Sequence, residues 1–250
     1  MKFFPLIFLI CIYFAWTGCT QNETQVQKDK ARAEQDLGAA SIKKGDIRTG
    51  LEHYLEAEEA DPENPDIHHY LALVYRDLGE YQLSIEEFQK TLALKPDFPE
   101  ARNNLGTVYL LLKQWDKAIE QFQKAASNLT YKTPDIAYNN MGLAYFYKGM
   151  YRKAIESYQK AIKQYPRYAA CYGNLALAYQ AIGDYGAAVT AYDKAIKYDP
   201  DNPDFYLNLG SLYLSLKRNK EAEIALNQVV KLDKTGAKAE EAKRLLQSIR

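Results

Sequence analysis

From residue 31 onward, apolar positions recur at helical spacing, and the helices they predict come in pairs. Leu175, Tyr179 and Ile182 fall on one stripe. After a break at Gly183 a second stripe follows through Ala188, Tyr192, Ala195 and Ile196. Each stripe predicts an amphipathic helix with a single buried face. The pair then repeats along the chain. Pro62 and Pro96 lie 34 residues apart, as do Pro166 and Pro200. The gap between Pro96 and Pro166 is 70, which is two periods and two extra residues.

Within a 34-residue frame the same chemistry returns at fixed places. The seventh and eighth hold a large and a small residue: Leu37-Gly38, Leu71-Ala72, Leu105-Gly106, Met141-Gly142, Leu175-Ala176 and Leu209-Gly210. The twentieth is small, from Gly50 through Ser84, Ala118, Ala154 and Ala188 to Ala222. The twenty-fourth is large: Tyr54, Phe88, Phe122, Tyr158, Tyr192 and Leu226. Small residues let two helices approach while large ones fill the space beside them. Gly45, Gly79, Gly149 and Gly183 stand at the turn between the helices, where positive φ is expected. No single pair can bury both its faces, so the pairs must stack.

This pattern resembles the tetratricopeptide repeat, a helix–turn–helix unit of 34 residues. The resemblance implies an all-α fold, a right-handed α-solenoid superhelix of six such repeats. Their expected bounds are 31–64, 65–98, 99–134, 135–168, 169–202 and 203–236. The segment 237–250 carries Leu245, Leu246 and Ile249 on one stripe and is expected to be the capping helix.

The N-terminus reads differently. Met1-Lys2 precedes an apolar run from Phe3 to Trp16, followed by Thr17-Gly18-Cys19. A basic start, a short apolar core and small residues at the end describe a secretory signal. The run is shorter than the roughly 20 residues of a spanning helix. Thr-Gly-Cys resembles a bacterial lipobox, which implies a signal peptide over 1–18, lipidation (palmitate) of Cys19 and a lipid-anchored polar tether over 19–30. No Asp follows Cys19, so the expected location is the outer membrane, facing the periplasm.

Composition narrows the function. Lys+Arg and Asp+Glu both number 32, with no basic run, which argues against nucleic acid as partner. Three Cys and three His leave little material for a metal site. His68 and His69 are neighbours, and adjacent residues on a helix face different ways. No phosphate loop and no nucleophile–base spacing is present. The expectation is a non-enzymatic chain without cofactor, metal or small-molecule substrate.

Function is therefore expected on the inner face, which this repeat family lines with the second, fifth, ninth, twelfth and thirteenth places. Units three and four supply Asn103, Thr107, Leu110, Leu111, Asn139, Leu143, Phe146 and Tyr147. Apolar side chains with amides that can bond a peptide backbone suit a partner's strand or helix. The same Leu110, Leu111 and Phe146 equally suit packing between adjacent units. In unit five, Ala170, Gly173 and Ala181 are expected to leave room on this face. The Lys and Asn pair by which chaperone adaptors of this family grip a terminal carboxylate is absent. Asn104, Asn140, Asn174 and Asn208 recur at the sixth place and can either bridge backbone or meet a ligand.

The two extra residues fall in Asn128–Pro134, a loop that carries Tyr131 and leads into Ala137-Tyr138-Asn139-Asn140-Met141-Gly142. A Tyr-x-x-Pro loop before an Ala-x-x-Asn-x-Gly helix resembles the type IV pilus pilotin family (PilF, PilW and Tgl), lipoproteins with six such repeats. That resemblance implies a scaffold that binds subunits of an outer-membrane secretin and promotes their assembly for type IV pilus biogenesis. The alternative is a general periplasmic adaptor organising cell-wall hydrolases or an exopolysaccharide export machine.

The chain holds 21 tyrosines, and fourteen of them sit at the fourth, eleventh, seventeenth or twenty-fourth place. Periodicity accounts for those as packing residues, Tyr13 falls in the expected signal peptide, and Tyr70, Tyr165, Tyr168 and Tyr198, at other places of the units, read as structural. Tyr147 on the inner face and Tyr131 in the loop are left as candidates for partner contact.

Overall fold

Each helix pair turns on the same residue, the fifteenth of its unit. A computed structural model describes the chain fully from Glu23 to Ile249, so the expected leader and Cys19 lie outside the fully described residues. At the fifteenth place Gly45, Gly79, Gly149 and Gly183 have φ of 86, 82, 80 and 80°. In units three and six the same left-handed turn is made by Lys113 and Lys217, at 57 and 60°. The next backbone N–H reaches back to the eleventh carbonyl, as in Met150 to Tyr145 at 2.8 Å and Gln114 to Tyr109 at 2.8 Å. This six-to-one bond is the Schellman closure of a helix end. The next helix starts one residue later, so the first helix stops and reverses within a few residues.

The second helix of a pair ends for another reason. Asp61, Lys95, Tyr165 and Asp199 cap their helices with φ between −144 and −130° and ψ between 77 and 91°. Each precedes a proline, whose ring pushes the preceding residue out of the helical region. Asn64 and Asn202 then cap the following helices by accepting from the N–H of Asp66 and Asp204 at 3.1 Å. Pro65 and Pro203 take the first helical position, where no N–H is needed.

The described residues form thirteen α-helices. They are α1 (Leu6–Lys43), α2 (Ile47–Ala60), α3 (Pro65–Asp77), α4 (Tyr81–Leu94), α5 (Pro99–Leu111), α6 (Trp115–Ala126) and α7 (Pro134–Tyr147). The rest are α8 (Tyr151–Gln164), α9 (Ala169–Ala181), α10 (Tyr185–Tyr198), α11 (Pro203–Ser215), α12 (Asn219–Asp233) and α13 (Ala237–Gln247). The fold class is the expected all-α tetratricopeptide solenoid. One local difference stands out: the stretch 23–30, expected as a tether, is helical and continuous with the first repeat helix in α1. Among the described residues no helix is long and apolar enough to cross a membrane.

The chain divides into two compact units, Met1–Val108 and Tyr109–Arg250. In the first, α1 packs on α2, α2 on α3 and α3 on α4, over a core of Tyr54, Ile67, Leu71 and Val74. In the second, α6 packs on α7, and α7/α8, α9/α10 and α11/α12 form pairs, with α13 against α11 and α12. Its main core joins Tyr158, Leu175, Tyr192, Leu209 and Leu212. The twenty-fourth-place side chains are buried throughout, beneath the small eighth place. A Cβ added at Gly142 would lie 2.5 Å from the Tyr158 ring, and one at Gly210 2.8 Å from Leu226.

Candidate functional site

From the second repeat to the sixth, the fifth place of the first helix lies inside the stack, whereas Gln35 of the first repeat is half-buried. His69, Asn103, Asn139, Gly173 and Leu207 are all buried. This corrects the reading of Asn103 and Asn139 as amides offered to a peptide. Asn139 Oδ1 accepts from Asn174 Nδ2 at 3.0 Å, which ties α7 to α9. Asn174, at the sixth place, thus bridges helices. The expected room at Gly173 is filled as well, because a Cβ there would lie 2.7 Å from the Phe205 ring.

Tyr131 is corrected in the same way. Its ring is 7% exposed and packs with Ala125, Ala126 and Ala137. The inserted loop therefore closes on its own tyrosine, which is unavailable as a partner contact. The loop is also held by Asn128 Oδ1, which accepts from the Thr130 N–H at 2.8 Å and its hydroxyl at 2.7 Å.

The remaining candidates divide by exposure. In the first unit, Thr107 is half-buried and its hydroxyl donates to the Asn103 carbonyl at 3.1 Å. In the second unit, Leu110, Leu143 and Phe146 are half-buried, and the last two pack against the main core. Tyr147 is 60% exposed and Leu111 is 51% exposed. Tyr147 is also built into a platform. Its ring stacks on Trp115 at 5.6 Å and 22°, and Phe146 meets it edge-on at 5.8 Å. Phe146 in turn meets Tyr151 at 5.3 Å and 62°. Beside the stack, Lys148 at the end of α7 is bonded to Asp116 at the start of α6. Trp115 was missed because it occupies the seventeenth place, where Tyr81, Tyr151 and Tyr185 read as packing. Its signal was rarity, since the only other Trp is Trp16, in the expected leader.

Two histidine–carboxylate clasps occupy the first unit. Glu34 at the fourth place of its repeat meets His53 Nδ1 at 2.8 Å. One repeat later His68 holds the fourth place and meets Glu87 Oε2 at 2.7 Å. His68 also donates from Nε2 to the Pro62 carbonyl at 2.8 Å. Glu58, His68 and Glu87 have the spacing of a metal set. However, Lys90 Nζ already sits 3.1 Å from Glu58 and 2.8 Å from Glu87. Donating hydrogen bonds to Glu87, then to Glu58, raises the Lys90 amine above its ordinary range, so an ammonium fills the cation's place.

His69 is enclosed by Phe98 at 4.9 Å and Phe88 at 5.7 Å. Burial pushes its imidazole down to about 4, which keeps it neutral. Cys171 is fully buried, its thiol donates to the Tyr158 carbonyl at 3.5 Å, and burial raises it to about 12. Such a thiol is a packing group rather than a nucleophile.

Comparison with known proteins agrees with this architecture. Residues 76–238 match the family model of the cilia and flagella-associated protein 70 C-terminal domain, and residues 36–97 match a tetratricopeptide repeat model. Among solved structures, PilW, described as a type IV pilus biogenesis factor, is 22% identical with a TM-score of 0.77; the match covers 88% of this chain and 97% of PilW. PilF from Pseudomonas aeruginosa is 21% identical with a TM-score of 0.73, over 87% of this chain and 98% of that one. MamA is 30% identical with a TM-score of 0.60, over 65% of this chain and 94% of that one.

Proposed function

We propose, from the premise that this chain belongs to the tetratricopeptide-repeat family whose model is the cilia and flagella-associated protein 70 C-terminal domain, that it is a scaffold binding a protein partner through the Tyr147–Trp115 platform. The observation that carries this reading is the exposure of Tyr147 on that platform. Tyr147 is held open to solvent on the half-buried Trp115 ring, and an exposed ring so placed lacks apolar contact that a partner can restore. Rigid aromatics also dominate protein interfaces, because little conformational freedom is lost when they bind.

The partner in this proposal is a secretin subunit, and the role is that of a pilotin in type IV pilus biogenesis. The likeness in fold to PilW and PilF supports it, and so does the Tyr131–Gly142 sequence pattern. Lipid on Cys19 would hold the scaffold at the outer membrane, on the surface where the secretin assembles. Sharing a surface raises the effective concentration of both.

The test has two arms. Deleting the gene should reduce secretin multimers in the outer membrane; unchanged multimers would refute the pilotin role. Replacing Trp115 and Tyr147 together by Ala should abolish secretin recovery in a pull-down while helicity is retained. Undiminished recovery would remove the platform from the interface.

A further inference from the structure

The second unit carries a repeated notch, lined by residues other than those of the Tyr147–Trp115 platform. It lies where the second helix of one repeat meets both helices of the next. One notch is lined by Tyr138, Met141, Tyr145, Lys153 and Lys160. One repeat later the same places hold Tyr172, Leu175, Tyr179, Ala187 and Lys194. A third holds Tyr206, Leu209, Tyr213, Glu221 and Gln228. The first two enclose about 340 and 320 Å³. The fourth and eleventh tyrosines thus form the walls, and a large apolar seventh residue forms the floor.

Charge is concentrated around the first two notches. Overall the chain is neutral, yet residues 151–198 carry seven Lys and Arg against three Asp and Glu. The seven are Arg152, Lys153, Lys160, Lys163, Arg167, Lys194 and Lys197, all exposed. None of their cationic groups forms an ion pair among the described residues, although Lys124, at the place of Lys160 one repeat earlier, pairs with Glu120 at 2.6 Å. Instead Lys153 lies over Tyr145 at 5.7 Å, Lys160 over Tyr138 at 5.9 Å and Lys194 over Tyr172 at 5.5 Å. Glu156 lines the first notch and Asp193 the third, so the surplus is positive without being uniform.

We propose that this α8–α10 face is a second docking surface, for an acidic polypeptide segment that carries aromatic or large aliphatic side chains. Charge complementarity selects acidic residues, which the unpaired lysines attract over the range of a Debye length. The notches select the apolar side chains, one per repeat, with phenol walls for rings to pack on. A flat anionic surface such as a lipid headgroup layer satisfies the charge and leaves the notches empty. The geometry therefore favours a polypeptide.

A fluorescein-labelled Glu-Tyr copolymer is the probe, titrated by anisotropy against the full chain. Binding is expected to weaken about tenfold in the Lys160→Glu/Lys194→Glu double variant and to fall with added salt. It should be unchanged in Lys124→Glu, with all variants melting alike by circular dichroism. Absence of binding, or equal binding by the double variant, overturns the proposal. Equal binding of polyglutamate removes the notches from it. Binding only to phosphatidylglycerol vesicles replaces the polypeptide with a membrane. Self-association that the copolymer does not displace would assign the face to a second copy, through its acidic α2.

Discussion

A lysine held in the left-handed region costs about 1 kcal/mol that a glycine avoids. Lys113 and Lys217 bear that cost at turns where four other repeats use glycine. Replacing each by Gly should stabilise the chain by roughly 0.5 kcal/mol after the added unfolded-state entropy is subtracted, read as a higher urea midpoint. A buried phenol gives a second contrast. Tyr192 donates to Gln180 Oε1 at 2.7 Å, whereas the Tyr158 hydroxyl is buried without a partner. Phe146 stands in unit four where Gln180 stands in unit five. Tyr192→Phe should therefore cost about 1 kcal/mol, and Tyr158→Phe should be neutral or stabilising. His69 links stability to acid. Its folded pKa of about 4 lies below the 6.5 of an unperturbed imidazole, so the unfolded chain takes up the proton first. The contribution is fully present above pH 6.5 and is lost as pH falls toward 4. His69→Phe should flatten that part of the stability profile, measured as urea midpoints at pH 7 and pH 4.5.

At the level of helix pairs, one contact governs the approach: a twenty-fourth-place ring beneath an eighth-place residue of minimal size. Gly142→Val forces its side chain into the Tyr158 ring and should cost about 1–3 kcal/mol, seen as a lower melting temperature. These pairs were legible in the sequence because each depends on local chemistry repeated at fixed spacing. The four turn glycines and the buried twenty-fourth place are of this kind. The turn at Lys113 and Lys217 was hidden, since the Schellman bonds and neighbouring repeats impose a conformation that lysine does not advertise. Asn139 and Gly173 were misread for a different reason. Inner-face membership follows from helix angle, whereas their burial depends on Asn174 and Phe205 of the next repeat. Tyr131 was misread because a loop has no periodicity to show which way a ring turns. Trp115 and Tyr147 sit in successive repeats, and only packing brings their rings face to face.

For the molecule as a whole, a stack of helix pairs leaves an apolar end that needs cover. α13 supplies it: Ala242 is buried with Leu207, Leu226 and Val229, and Leu245, Leu246 and Ile249 pack against them. Ending the chain after Thr235 should cost on the order of 3 kcal/mol and lower soluble yield, measured by thermal melting and sedimentation. A stack also presents many near-copies of one helix to each other while the chain folds. The two clasps of the first unit bear on this hazard. Glu34 faces His53, and one period later His68 faces Glu87, with the partners exchanged between helices. Slip the pairing by one repeat, and α1 brings Glu34 against Glu87 while α3 brings His68 against His53. Each mispaired hairpin loses its clasp and sets like groups together, so the exchange of two residues works as a parity check on which helix closes with which.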